Sequence, residues 1–117
     1  MAQYSDALSS LEGRQLSSVE FVQDYVQLRF DGPRLTAITR PRIHVSGLTL
    51  EWGNRDFRNA LCDRIGRLVQ RAATIEQEGI RIEFDDGASI VISLDPADAR
   101  AAEAAVLDDP PRPTVVW

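Results

Sequence analysis

The chain has 117 residues, 44% of them apolar and 26% charged, which is the balance of one soluble globular domain able to bury roughly two-thirds of its unfolded surface. A formal charge of −5 opposes non-specific nucleic-acid binding and no membrane contact is expected, since no apolar run approaches the ~20 residues of a span. The single cysteine excludes an internal disulfide or a multi-cysteine metal site, and Met1 to Asp6 lacks the basic start and apolar core of a signal peptide, so a cytoplasmic location is expected.

Ser5 to Glu12 has Leu8 and Leu11 three apart with Gly13 after them, which predicts a short helix and its stop. From there the period becomes two. An apolar stretch from Leu16 to Val22 is followed by Val26, Leu28 and Phe30 alternating with Gln27 and Arg29, the pattern of a half-buried strand. Asp31-Gly32 supplies hairpin chemistry, and Leu35 and Ala37 begin a returning strand that stops near Pro41.

Beyond it Ile43 and Val45 share one parity while Leu48, Leu50 and Trp52 share the other, so a bulge or tight turn is expected at Ser46-Gly47. Phe57, Leu61 and Ile65 stand at helical spacing before Gly66, predicting a helix over about 56–65. Leu68 to Ile75 is again apolar. Ile80, Ile82 and Phe84 then oppose Arg81 and Glu83, Asp85-Asp86-Gly87 turns the chain, and Ile90, Ile92 and Leu94 return. Asp95 as N-cap, Pro96 at the first position and the alanine-rich run to Val106 predict a helix over about 96–107, with Thr114 to Trp117 as an edge strand or tail.

Residues 13–41 and 66–96 say the same thing twice. The offset between matched positions is 53 at Gly13 and Gly66, 54 at Phe30 and Phe84, and 55 at Pro41 and Pro96, a drift that two single-residue turn insertions explain. The expected fold is therefore a single α+β domain over 1–117. It has two repeated three-stranded antiparallel meanders, related by a pseudo-twofold or joined in one sheet, packed with two or three short helices.

No pattern of residues names a reaction, a cofactor or a metal. His44 has no carboxylate at a spacing that would orient it as a base, and Cys62 is expected as a buried small hydrophobe. Glu83, Asp85 and Asp86 offer clustered oxygens, but Asp-Gly is the expected hairpin turn. Arg40, Arg42, Arg55 and Arg58 cluster loosely near Trp52 and Phe57 and read as a solvated face. All thirteen basic residues are arginine, which fits codon bias in a GC-rich genome better than selection for bidentate donors.

The succession of Gly13-Arg14, Phe30-Asp31-Gly32, Ile65-Gly66-Arg67, Phe84-Asp85-Asp86-Gly87 and the terminal Val115-Val116-Trp117 resembles small uncharacterised bacterial β-rich proteins with two similar halves. Some comparable small domains are similar to immunity proteins of polymorphic toxin systems. The resemblance implies a fold and no established activity. The leading expectation is a non-enzymatic protein-binding domain, immunity-like, that neutralises a basic partner through Glu76, Glu78, Glu83, Asp85 and Asp86. The alternatives are a homodimer built on Trp52 and the Thr114–Trp117 strand, and a small-molecule or metal site in the cleft between the repeats.

Overall fold

Val26 and Leu28 are fully buried while Arg29 between them and the turn is exposed, so the second strand has one wet and one dry face, as its alternation requires. The computed structural model describes residues 7–117. Its strands are β1 (Ser18–Val22), β2 (Tyr25–Arg29), β3 (Arg34–Ala37), β4 (Arg42–Val45), β5 (Leu48–Leu50), β6 (Val69–Ile75), β7 (Gly79–Phe84), β8 (Ser89–Ile92), β9 (Ala105–Asp108) and β10 (Val115–Val116). They form two five-stranded antiparallel sheets, ordered β1-β2-β3-β9-β10 and β5-β4-β8-β7-β6.

Each sheet is a local meander completed by a hairpin from the far part of the chain. β1, β2 and β3 follow one another, but the open edge of β3 pairs with β9, Leu35 opposite Leu107. β6, β7 and β8 follow one another, and β8 pairs with the earlier β4, Ile90 opposite Ile43. The meanders thus lie in separate sheets. Val26, Leu28 and Leu35 of the first sheet and Ile43, Ile80, Ile82 and Ile90 of the second sheet meet in one core with Phe30, Phe57 and Phe84.

Where the two entry segments meet, four backbone bonds join them. The Gly13 N–H donates to the Val69 carbonyl at 2.8 Å and the Gly66 N–H to Leu16 at 2.7 Å. Leu16 N–H donates to Arg67 at 3.1 Å and Val69 N–H to Arg14 at 2.8 Å. These bonds zip the start of the first meander to the start of the second.

The turns follow the expected chemistry. Asp31 and Gly32 carry φ of 54° and 134°, and Ser46 and Gly47 carry 52° and 76°, the positive pair that a two-residue hairpin loop between β4 and β5 demands. Helix is scarce among the described residues. Residues 7–9 are helical and bury Leu8, while the first two residues of the expected Ser5–Glu12 helix lie outside the described residues. The helix α1 (Phe57–Cys62) buries Phe57 and Leu61. It is shorter than the expected 56–65 because Arg64 and Ile65 bond three residues back, to Leu61 and Cys62, and Ile65 is exposed.

The helix expected over 96–107 is absent. Asp95 does cap a turn, accepting from the Ala97 N–H at 3.0 Å, but only Pro96–Asp98 winds, as a 3₁₀ turn. The alanines at 101 and 102 are exposed, so a helix there would bury no stripe. Ala105 and Leu107 instead alternate with Val106 and Asp108 against the open edge of β3. Ladder bonds and two buried side chains outweigh the few tenths of a kcal/mol per residue by which alanine favours helix.

Candidate functional site

Of the five carboxylates expected to face a partner, three are bonded to the protein's own arginines. Arg81 stands between two of them, its Nη1 2.9 Å from Glu78 Oε1 and its Nε 2.9 Å from Glu83 Oε2. Bonding to Glu78, then to Glu83, holds the Arg81 guanidinium above its ordinary range. Asp86 is occupied as well: Arg64 Nη1 reaches both its oxygens and Arg67 Nε lies 3.6 Å away. Glu76 and Asp85 are exposed. Three of the five thus serve the protein's own arginines, and the Glu83–Asp86 region does not gather its oxygens about one point.

Cys62, expected as a buried small hydrophobe, is exposed. A helical step of ~100° takes it off the Phe57–Leu61 face that meets the core. His44 Nδ1 lies 2.8 Å from Thr49 Oγ1 on the paired strand β5. The segment expected to dimerise is an edge strand, β10, whose Trp117 packs against the core.

The arginines read as a solvated face do more than that. Arg40 lies 5.1 Å above the Trp52 ring centroid and Arg58 lies 5.4 Å above Phe21. Trp52 meets Phe21 edge-on at 6.3 Å and Phe57 at 5.8 Å, so one aromatic cluster joins β1, the β5–α1 loop and α1. Stacking fixes the planar guanidinium of Arg40 against this cluster.

Beside Trp52 opens a cleft of about 270 Å³. The β3–β4 connection lines it with Thr39, Arg40 and Pro41, leading to Arg42 at the start of β4. Glu51, Trp52 and Gly53 come from the end of β5, and Ser93, Asp98 and Arg100 from the β8–β9 connection. Both chain crossovers between the sheets therefore converge here.

Three guanidinium groups face two carboxylates in this cleft, and the carboxylates are partly engaged. Asp98 accepts the Ser93 hydroxyl at 2.6 Å, and Glu51 lies 3.8 Å from Arg42 Nε. Arg40 Nε and Thr39 Oγ1 are buried with no hydrogen-bond partner among the described residues, and Thr39 is only 3% exposed. A buried polar atom left so costs about 1–3 kcal/mol, which a ligand oxygen would recover. The result is a small positively charged recess with a stacked aromatic wall.

Comparison with protein-family models, with curated proteins and with solved structures finds no match to this chain. No helix among the described residues is long and apolar enough to cross a membrane. Arg40, Arg42 and Trp52 stand out in the sequence as a loose cluster; Thr39, Ser93 and Arg100 carry no local signal, because only the crossovers bring them together.

Proposed function

We propose that this chain is a binding domain built from two duplicated halves, and that its ligand places an anionic group in the arginine-lined cleft at their junction. The backbone bonds between the entry segments support the duplication. At the offset of 53, Gly13, Arg14 and Leu16 correspond to Gly66, Arg67 and Val69, so exchanging the two copies turns Gly13→Val69 into Gly66→Leu16 and Val69→Arg14 into Leu16→Arg67, the reciprocal bonds a pseudo-twofold requires. The exchange of hairpins supports it too, since β4–β5 completes the second meander as β9–β10 completes the first. The cleft then lies between equivalent crossovers.

The observation that carries the binding assignment is the buried, unpartnered Nε of Arg40 in a recess that also holds Arg42 and Arg100. On a body of charge −5, a concave patch with an excess of guanidinium concentrates anions where the rest of the surface repels them. The acidic face is the poorer docking surface because Glu78, Glu83 and Asp86 already hold guanidinium partners. At about 270 Å³ the recess suits a small ligand or the end of a larger one, below the ~300–1,000 Å³ of drug-sized sites.

Trp52 provides the readout. Binding of an organic anion should change its fluorescence, because Arg40 covers its ring, and Arg40→Gln should weaken that binding about 10-fold or more. If small organic anions leave the emission and the backbone amide spectrum of the cleft unmoved, the assignment is wrong.

A further inference from the structure

The two crossovers that line the cleft each contribute one hydroxyl, Thr39 and Ser93, and these stand at the same offset of 54 that relates Phe30 to Phe84. Both residues are almost fully buried, at 3% and 8% exposure. Their bonding differs. The Ser93 hydroxyl donates to Asp98 Oδ2 at 2.6 Å and accepts from the Asp95 N–H at 3.1 Å. Thr39 Oγ1 has no partner among the described residues. Past the prolines, where the offset is 55, the counterpart of Asp98 is Ile43, which is apolar and buried. One half carries its own carboxylate for the crossover hydroxyl, and the other half lacks it.

We infer that the ligand of the cleft is a monocarboxylate, whose oxygen accepts the Thr39 hydroxyl as Asp98 accepts that of Ser93. The inference rests on the duplicated, anion-binding reading above and narrows it to one chemical class. Charge selects within that class. Three guanidinium groups against Glu51 and Asp98 leave one positive charge, which a monocarboxylate neutralises. A phosphate monoester, carrying about −1.5 to −2 near neutral pH, would leave the recess negative. Donor count agrees: a carboxylate has two oxygens, and two residues that line the recess, Thr39 and Arg40, each carry one buried unpartnered donor, Oγ1 and Nε.

The test titrates the isotope-labelled full chain with sodium benzoate and with phenyl phosphate, following backbone amides of residues 39–42, 51–53 and 93–100. Benzoate should bind more tightly than phenyl phosphate. Thr39→Val, which keeps the side-chain shape, should weaken benzoate about 10-fold, and Thr39→Ser should restore it. The dispersion of the same spectra reports whether each variant is folded, and the serine variant tests the hydroxyl should valine disturb the fold.

Tighter phenyl phosphate, or full benzoate affinity in both folded Thr39→Val and the parent, would overturn the monocarboxylate while leaving an anion cleft in place. No response of the cleft amides to either anion would overturn the cleft itself. A tetrapeptide with a free C-terminus and its amidated form separate the two sources of such a group. Preference for benzoate over both peptides assigns a free organic acid. Tighter binding of the free-ended peptide than of benzoate assigns a chain terminus, and each result supports the carboxylate.

Discussion

Arg64 Nη1 lies 2.7 Å from Asp86 Oδ1 and 2.6 Å from Oδ2, so one guanidinium with 7% of its side chain exposed holds both oxygens of a turn carboxylate. The same guanidinium sits 5.6 Å above the Phe84 ring, and Asp86 Oδ1 also accepts the Ala88 N–H at 3.2 Å. The second hairpin is thereby clamped to the segment that follows α1. Asp86→Ala should leave Arg64 without its carboxylate and destabilise the fold by roughly 2–3 kcal/mol, below the full cost at a dry site because the Asp86 side chain is 26% exposed. Urea denaturation of the two proteins measures it, and an unchanged midpoint would refute the clamp.

Acid should reveal the same bond. Arg64, aided by the Ala88 N–H and Arg67, holds the Asp86 carboxyl below its ordinary 3.8, and Arg34 with the Thr114 hydroxyl does the same for Asp108. A carboxyl whose pKa is depressed by folding stabilises the fold fully above the unfolded value. That stabilisation is lost as pH falls through the lower folded value. Stability should therefore decline below about pH 4, and Asp86→Asn should flatten that part of the profile while lowering stability at neutral pH. Denaturant midpoints between pH 2 and pH 7 provide the comparison.

Gly79 opens β7 at a φ of 123°, and a Cβ there would run into the Ile92 carbonyl and stand 3.0 Å from the Leu94 nitrogen. The obstacle is backbone of the paired strand, which cannot rotate aside. Gly79→Ala should cost about 3 kcal/mol, whereas Gly53→Ala, in open space, should be nearly silent. Thermal melts of the two variants give the contrast.

Glu78 and Glu83 share Arg81 on a partly exposed strand face. A double-mutant cycle between Arg81 and Glu83 should return a coupling of about 0.5–1 kcal/mol that shrinks with added salt. Charge reversal at Glu76 and Asp85 should leave stability within about 0.5 kcal/mol, as expected for exposed sites.

Arg100 is exposed at the cleft mouth, so it should act through charge. Arg100→Gln should weaken anion binding by about 3-fold in low salt and by less near 1 M, where the screening length falls to ~3 Å. Arg40→Gln should keep its effect at high salt, since Arg40 Nε is buried. Titrations at two ionic strengths distinguish these roles.

Local pattern carried the meanders. The alternation of Val26, Leu28 and Phe30, and of Ile80, Ile82 and Phe84, identified β2 and β7, and the parity switch at Ser46-Gly47 located the hairpin turn between β4 and β5. Phe57 and Leu61 marked α1. Pairings between distant strands were not legible. β9 lies in alanine-rich sequence with helical propensity, and what makes it a strand is the edge of β3, some seventy residues earlier. The cleft was hidden for the same reason. Thr39 and Ser93 are unremarkable in sequence, and their significance comes from two crossovers converging on one recess.

The hairpin exchange sets the order in which the protein can be completed during synthesis. β1, β2 and β3 emerge early, yet β3 cannot be closed until Ala105–Asp108 has left the ribosome, and Val115–Val116 must follow before that sheet is whole. The second sheet closes sooner, since β4 and β5 are already waiting when β8 appears. The sheet that begins first therefore finishes last, with Leu35 and Ala37 awaiting their partners on a nascent chain.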